Sequence, residues 1–175
     1  MTKKVVLYLM SYILCLSIYG QKEDYSWVLG ANVLNTIDFT EVGFSIDTFQ
    51  PSPYVRLHIT NSIISDPLGN RLLFSGGAAI YDETGEIIIG GDSINPGFLR
   101  ESWQVSIPGA YPSKNAAIFL NSLKNINDYF LFHLRGDTIQ ELDSTILNSF
   151  GTNIFYTQIE RNSLNEFYVE KKIYL

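Results

Sequence analysis

Cysteine is almost missing from this chain. Cys15 is the only one among 175 residues, so no intrachain disulfide is possible and the fold must rest on packing. Histidine is nearly as scarce, with His58 and His133 alone. Two histidines and one cysteine fall short of the four ligands of a structural zinc site unless carboxylates join them. A helical stripe is missing too. After Gln21 no window repeats its apolar residues at the 3.6-residue period. The best helical candidate, "ELDSTILN" (Glu141 to Asn148), is short and weakened by Ser144 and Thr145. No nucleophile elbow, metalloprotease motif, dinucleotide loop or phosphate loop occurs. Positive charge is in deficit: 12 basic residues face 18 acidic ones. An acidic chain repels nucleic acid and anionic membranes, and neither is expected as a partner. The acids are scattered, as on a solvated surface and unlike a tail.

What is present begins with a leader. Lys3 and Lys4 precede an apolar run from Val5 to Tyr19, and Gly20 precedes the polar "QKED". That is the three-part layout of a secretory signal peptide. The run is roughly 15 residues, below the ~20 that a spanning helix needs. Residues 1–20 are therefore expected to be removed, leaving Gln21 first and an exported chain, extracellular, on the outer cell surface or in the periplasm. Leu14 before Cys15 does not suit a lipid anchor. Losing Lys3 and Lys4 takes the net charge from −6 to −8.

The mature chain is rich in strand formers. Tyr and Phe number 11 each, and with Ile they favour a pleated, half-buried surface. Strands are expected at "YSWVLG", "NTIDFT", "RLHITNSIISD", "NRLLFSGG", "AAIYD", "EIII", "AAIFLNS", "DYFLFHLRG", "NIFYTQIER" and "EFYVEKKIYL". "DPLGN" (Asp66 to Asn70) and "DETGE" (Asp82 to Glu86) carry hairpin chemistry, with Asp first and Gly fourth. Several runs ("LLF", "III", "AIFL", "YFLF") are apolar without alternation, which implies cover on both faces. With no helices, other sheets must supply it. A loose repeat matches Ile63 with Ile118, a period of 55 (118 − 63). Four-stranded units at such a period suggest propeller blades. The expected fold is all-β: antiparallel four-stranded sheets resembling about two blades of an incomplete β-propeller, with a β-sandwich as the alternative. The first sheet is placed at about 57–90, a linking loop at about 91–113 and the second sheet at about 114–175, the two packing face to face.

The stretch "TNSIISDPLGNRLLFSGGAAIYDETGEIIIGGDSINPG" resembles a family of secreted β-propeller-like proteins of Bacteroidota. These are often exported by type nine secretion and carry a C-terminal sorting domain. The likeness rests on Ser62 to Asp66, Gly69, Asn70, Leu72 to Phe74, Gly76, Ile80 and, most specifically, Gly91 to Gly97. "YFLFH" (Tyr129 to His133) and "FYTQIERN" (Phe155 to Asn162) extend it. Two departures stand out. "SGGA" replaces an aromatic-containing segment, and about two blades without a sorting domain are too few to close a ring. The expectation is a fragment or short relative of a longer protein, with self-association if the chain is complete as given.

Within "GGDSINPG", Asp92 and Asn95 offer oxygens to a cation such as Ca²⁺, but a calcium loop supplies six to eight. The plainer reading is a bend, in which Gly90, Gly91 and Gly97 take unusual backbone angles, Pro96 fixes one, and Asp92 and Asn95 cap the turn. Asp66 and Gly69 read as turn residues. His133 reads as a hydrogen-bonded histidine at a strand end. Arg100, Trp103 and Tyr111 lie in a long loop, as a contact surface for a ligand or as packing between blades. No cofactor is expected and no catalytic set is visible. Two functions of different class follow: a non-enzymatic exported module for binding or adhesion to a protein or glycan, and a carbohydrate-active enzyme drawing on Asp66, Asp92 or Glu101. A non-functional remnant of a longer gene is the third.

Overall fold

The computed structural model describes residues 25–174, apart from 32, 41, 51–54, 58–59, 97–99, 102–110, 112–116, 126, 139–140, 143–144 and 147–148. The expected leader lies outside the described residues. The fold is all-β. An N-terminal sheet holds β1 (Ser26–Ala31), β2 (Val33–Thr40), β3 (Gly43–Phe49) and β4 (Arg56–Leu57), in the order β3-β2-β1-β4. A middle sheet runs β5 (Ser62–Ser65), β6 (Arg71–Ser75) and β7 (Ile80–Asp82). The C-terminal sheet is a meander of β8 (Ala117–Asn121), β9 (Tyr129–Thr138), β12 (Ser149–Arg161) and β13 (Phe167–Tyr174). Between β9 and β12 sits a small hairpin of β10 (Glu141–Leu142) and β11 (Thr145–Ile146). It occupies the segment of the best helical candidate. Strand pairs in all four sheets are antiparallel.

The middle sheet is covered on both sides. Ile64, Leu73 and Ile80 point one way and pack with Phe119, Leu131 and Ile159 of the C-terminal sheet. Phe74, Tyr81 and Ile63 point the other way and pack with Val28 and Leu34 of the N-terminal sheet. That double cover is the reason "LLF" does not alternate. A β-bulge adds to it. The register moves from Ile64↔Leu73 to Ser65↔Arg71, which leaves Leu72 as the extra residue, and Leu72 joins Leu73 in the cluster against the C-terminal sheet.

Four details differ from the sequence-based placement. First, residues 26–57 form a whole sheet ahead of the two expected ones. Its edge strand β3 is exposed along nearly its full length, and its apolar alternation is limited to Phe44 and Ile46. Second, Arg56 and Leu57 do not open the middle sheet but pair with Ala31 and Gly30 of β1. Third, "EIII" is not a full fourth strand of the middle sheet: it lies antiparallel along β7, with the Asp82 amide donating to the Glu86 carbonyl at 2.9 Å and the Ile88 amide to the Ile80 carbonyl at 3.2 Å, but makes a single bridge there. Ile87 bridges Tyr81, and Ile89 bridges Tyr168 in the C-terminal sheet, where the Val169 amide donates to the Ile89 carbonyl at 2.9 Å. The segment is a strap between two sheets, with Ile88 buried beneath it. Fourth, Ile63 and Ile118 do not occupy matching places. Ile63 faces the N-terminal sheet, whereas Ile118 faces away from the middle sheet, opposite in sense to the inward Phe119. Ile64, and not Ile63, shares a direction with Ile118. A one-residue slip reverses the face of every side chain in a strand.

Candidate functional site

The loop after the Ile87–Ile89 strap returns at once to the protein interior. The Gly91 amide donates to the Ile88 carbonyl at 2.8 Å, and the Ile80 amide donates to the Gly91 carbonyl at 2.9 Å. A Cβ at Gly91 would sit 2.5 Å from Ile88 Cγ1 and 3.0 and 3.1 Å from two carbonyl oxygens, so glycine is required by space. Ser93 takes a left-handed φ of 57°. Ile94 and Asn95 then turn inward and are buried, while Asp92 and Pro96 stay exposed.

Asn95 spends its whole amide on the interior. Its Nδ2 donates to the Gly77 carbonyl at 2.9 Å. Its Oδ1 therefore accepts, from His133 Nδ1 at 2.7 Å. His133 Nε2 is then the lone-pair nitrogen of a neutral ring and accepts from the Thr157 hydroxyl at 3.0 Å. The chain of donors runs Thr157 → His133 → Asn95 → Gly77, joining β12, β9, the loop and the turn after β6. The imidazole stacks on Phe155 with centroids 5.8 Å apart. It is only 2 % exposed, and its pKa is pushed down to about 4, first by burial and then by the charge of Lys172. Lys172 Nζ in turn donates to the Asp92 carbonyl at 3.2 Å.

The two oxygens singled out for a cation are thus apart: Asp92 faces solvent and Asn95 is committed to His133. Among the described residues no group of three or more His, Cys, Asp or Glu side chains is placed to hold a metal. His133 is a mid-strand residue of β9, not a strand end. Asp66 closes its own turn, with Oδ1 accepting from the Leu68 amide at 2.9 Å and the Asn70 amide at 2.8 Å, and Gly69 takes φ 91° there. Tyr111 is buried against Gly77, whose own Cβ would lie 2.9 Å from the Tyr111 Cβ. Arg100 is half-buried. Its charge acts on Tyr81, whose phenol burial nevertheless pushes up to about 12. Trp103, Gly97 and His58 lie outside the described residues.

A second place, unmarked by any motif, is an open groove of about 720 Å³ between the N-terminal sheet and the two hairpins of the middle sheet. Asp38, Asn70, Arg71 and Glu83 line it, with Val42 and Leu68 at its apolar rim. Arg71 is anchored there: Nη2 donates to the Glu83 carbonyl at 2.8 Å, and the guanidinium lies 4.5 Å over the Phe49 ring. Its Nε is buried with no hydrogen-bond partner. Burial lowers the Arg71 pKa, opposed by Asp38, Glu83, Asp47 and Asp82. Asp38 Oδ1 accepts from the Ser26 hydroxyl at 2.6 Å. The only sequence signal was Arg71 at the head of an apolar strand. Its acidic neighbours come from β2, β3 and the β7 turn, and only folding brings them together.

No protein-family model matches the chain, and no curated protein or solved structure matches it either.

Proposed function

We propose that this is an exported, non-enzymatic, β-propeller-like module that binds a neutral glycan outside the cell. One observation carries the reading: the groove around Arg71. Four carboxylates surround one guanidinium, so the local field is negative and disfavours anionic ligands. The groove is open, and its planar polar side chains supply both donors and acceptors, which sugar hydroxyls require. The propeller-like element of the reading is supported by the meander of the C-terminal sheet and by the way β5 and β8 lie side by side, the Phe119 amide donating to Ser62 Oγ at 3.0 Å. Export is supported by Lys3, Lys4, the apolar run and Gly20. Among the described residues no helix is long and apolar enough to cross a membrane.

Titration of the purified chain with a panel of neutral oligosaccharides tests the binding reading. Saturable binding is expected, weakened at least tenfold by Glu83→Ala and by Asp38→Asn with the fold intact. Absence of binding across the panel, or unchanged affinity in both variants, removes it. Release of products from the same oligosaccharides would favour the enzymatic reading, since Asp38 and Glu83 put two carboxylates on one groove, as glycoside hydrolysis needs. Export has its own check: N-terminal sequencing of the secreted protein should begin at Gln21, and an intact intracellular chain overturns it.

A further inference from the structure

Among the described residues, the middle sheet is covered twice and the two outer sheets only once. On the N-terminal sheet, Ser26, Val28, Leu34 and Thr36 are buried and Trp27 and Leu29 are exposed. The exposed row continues across the registered pairs Trp27↔Ile37↔Ile46 and Phe39↔Phe44. Trp27 meets Phe39 edge-on at 5.2 Å, and Phe39 meets Phe44 at 6.4 Å. Phe44 and Ile46 are each 63 % exposed. The described residues of this row carry no formal charge.

The C-terminal sheet repeats the situation at the other end of the stack. Phe119, Leu131, Phe155 and Thr157 face inward and are buried. The opposite face carries the rows Leu120↔Phe130↔Gln158 and Ile118↔Phe132↔Tyr156, with the Tyr156 ring against Phe130 at 5.9 Å and Phe132 at 5.8 Å. A hollow of about 610 Å³ opens on this face, lined by Leu120, Leu123, Phe130 and Phe132. The sequences of β8 and β9 are those of strands covered on both sides, since "AIFL" and "YFLF" do not alternate. Their burial does alternate, because among the described residues only one face is covered.

We propose that a second copy of this chain supplies both covers. The exposed face of one copy's N-terminal sheet packs on the exposed face of the other's C-terminal sheet, and the reverse contact closes the ring. Three facts favour this occupant. The two open faces lie on opposite ends of one stack, so a head-to-tail contact uses both. Such contacts form a closed ring when the rotation closes and an open filament when it does not. Two copies bring six large sheets together, within the four to eight blades that closed propellers use. The surfaces are complementary in form: Trp27, Phe44 and Ile46 project from one, and the other holds the hollow. The area suffices as well. At ~4.8 Å per strand and ~3.3 Å per residue, about six residues of β1, β2 and β3 on one sheet, or about five residues of β8, β9, β12 and β13 on the other, present roughly 300 Å² of projected face. Four such faces total about 1,200 Å², the lower bound of stable protein interfaces.

Sedimentation equilibrium of the secreted chain from Gln21, with Phe44→Glu on one face and Ile118→Glu on the other, is the test. A discrete dimer is expected, with each variant raising its dissociation constant at least tenfold while far-ultraviolet circular dichroism stays unchanged. Mixing the two variants in equal amounts should recover a heterodimer, because one of its two contacts joins two unaltered faces. Phe44→Leu and Ile118→Val should dimerise as the original does, which separates charge at the contact from misfolding. A monomer at every concentration overturns the proposal and leaves further sheets of a longer polypeptide as the cover. Overturning results also include loss of the dimer with only one of the two variants, which means like faces pair, and growth beyond the dimer, which means the ring does not close.

Discussion

His133 stays neutral in the folded chain because water is excluded from it and because its two nitrogens are already committed to Asn95 and Thr157. The ring would otherwise titrate near 6.5, and burial with Lys172 nearby brings it down to about 4. Between those values the unfolded chain binds a proton that the folded chain refuses. Stability from this group is therefore complete above about pH 6.5, falls as the pH drops, and has gone below about pH 4. The full span is on the order of 3 kcal/mol, at about 1.4 kcal/mol per pKa unit. Urea unfolding at pH 7 and pH 4.5 should show the original chain losing much of that amount. His133→Leu removes this part of the pH dependence but leaves Asn95 Oδ1 and Thr157 Oγ1 without their partner, which costs about 1–3 kcal/mol at pH 7. Equal acid losses in the two proteins would show that His133 is not the titrating group. The pairing of Asn95 with His133 spans 38 positions in sequence. "GDSINPG" announced a special loop through its glycines and proline, but no local pattern announces which distant side chain an asparagine will meet. The groove around Arg71 was hidden for the same reason: Asp38, Asp47 and Glu83 belong to three separate elements, and each reads as an ordinary surface acid.

At the scale of elements, turn chemistry was the most legible feature. Asp66 and Asp82 both bond amides two and four residues on, Asp82 Oδ1 accepting from Thr84 at 2.9 Å and Glu86 at 3.1 Å. That interaction needs only neighbours in sequence, so a short window suffices to read it. The strand β3 was passed over because its two alternating apolar residues, Phe44 and Ile46, form too short a pattern to mark a strand, and among the described residues only its last residue, Phe49, packs on the core. The Ile87–Ile89 strap was misplaced because three isoleucines look alike whether two sheets cover them or a single crossing segment buries only the middle one. What the strap needs next is a tight exit, and Gly90 and Gly91 meet that need in different ways. Gly90 has φ 70°, and a methyl group added there would have the Val169 Cβ as its nearest neighbour at 3.5 Å, so alanine meets backbone strain alone. Gly91 has ordinary torsions but no room, with two carbonyl oxygens that cannot step aside. Gly90→Ala should cost about 1 kcal/mol, and Gly91→Ala should cost more, on the order of 2–3 kcal/mol, as overpacking against fixed neighbours does. Thermal unfolding of the pair checks the order, and a Gly91→Ala protein as stable as the original would show that the strap can shift.

At the scale of the molecule, cover decides where stability lies. The middle sheet is the smallest of the three large sheets, yet Phe74, Leu73, Ile80 and Tyr81 are essentially inaccessible. The reason is its position between two others. Phe74 alone ties three strands together on one side, its ring 5.3 Å from Tyr81 in a stacked pair and 6.1 Å from Phe49 edge-on. Opening β6 would expose both core clusters at once, so it should require nearly global unfolding. Opening β3 breaks one ladder, with β2, and exposes little that is not exposed already. Native-state hydrogen exchange should therefore rank β6 amides slowest, the inner strands β9 and β12 close behind, and β3 fastest among the registered strands. Protection of β3 equal to that of β6 in dilute monomer would contradict a cover-based ranking. The same measurement at higher concentration bears on assembly: if the exposed row at Trp27, Phe44 and Ile46 becomes an interface, β3 amides should slow as the chain associates, while β6 amides, already buried on both sides, should not change. A rise in protection spread evenly over all strands would mean that association stabilises the whole fold without seating on that face.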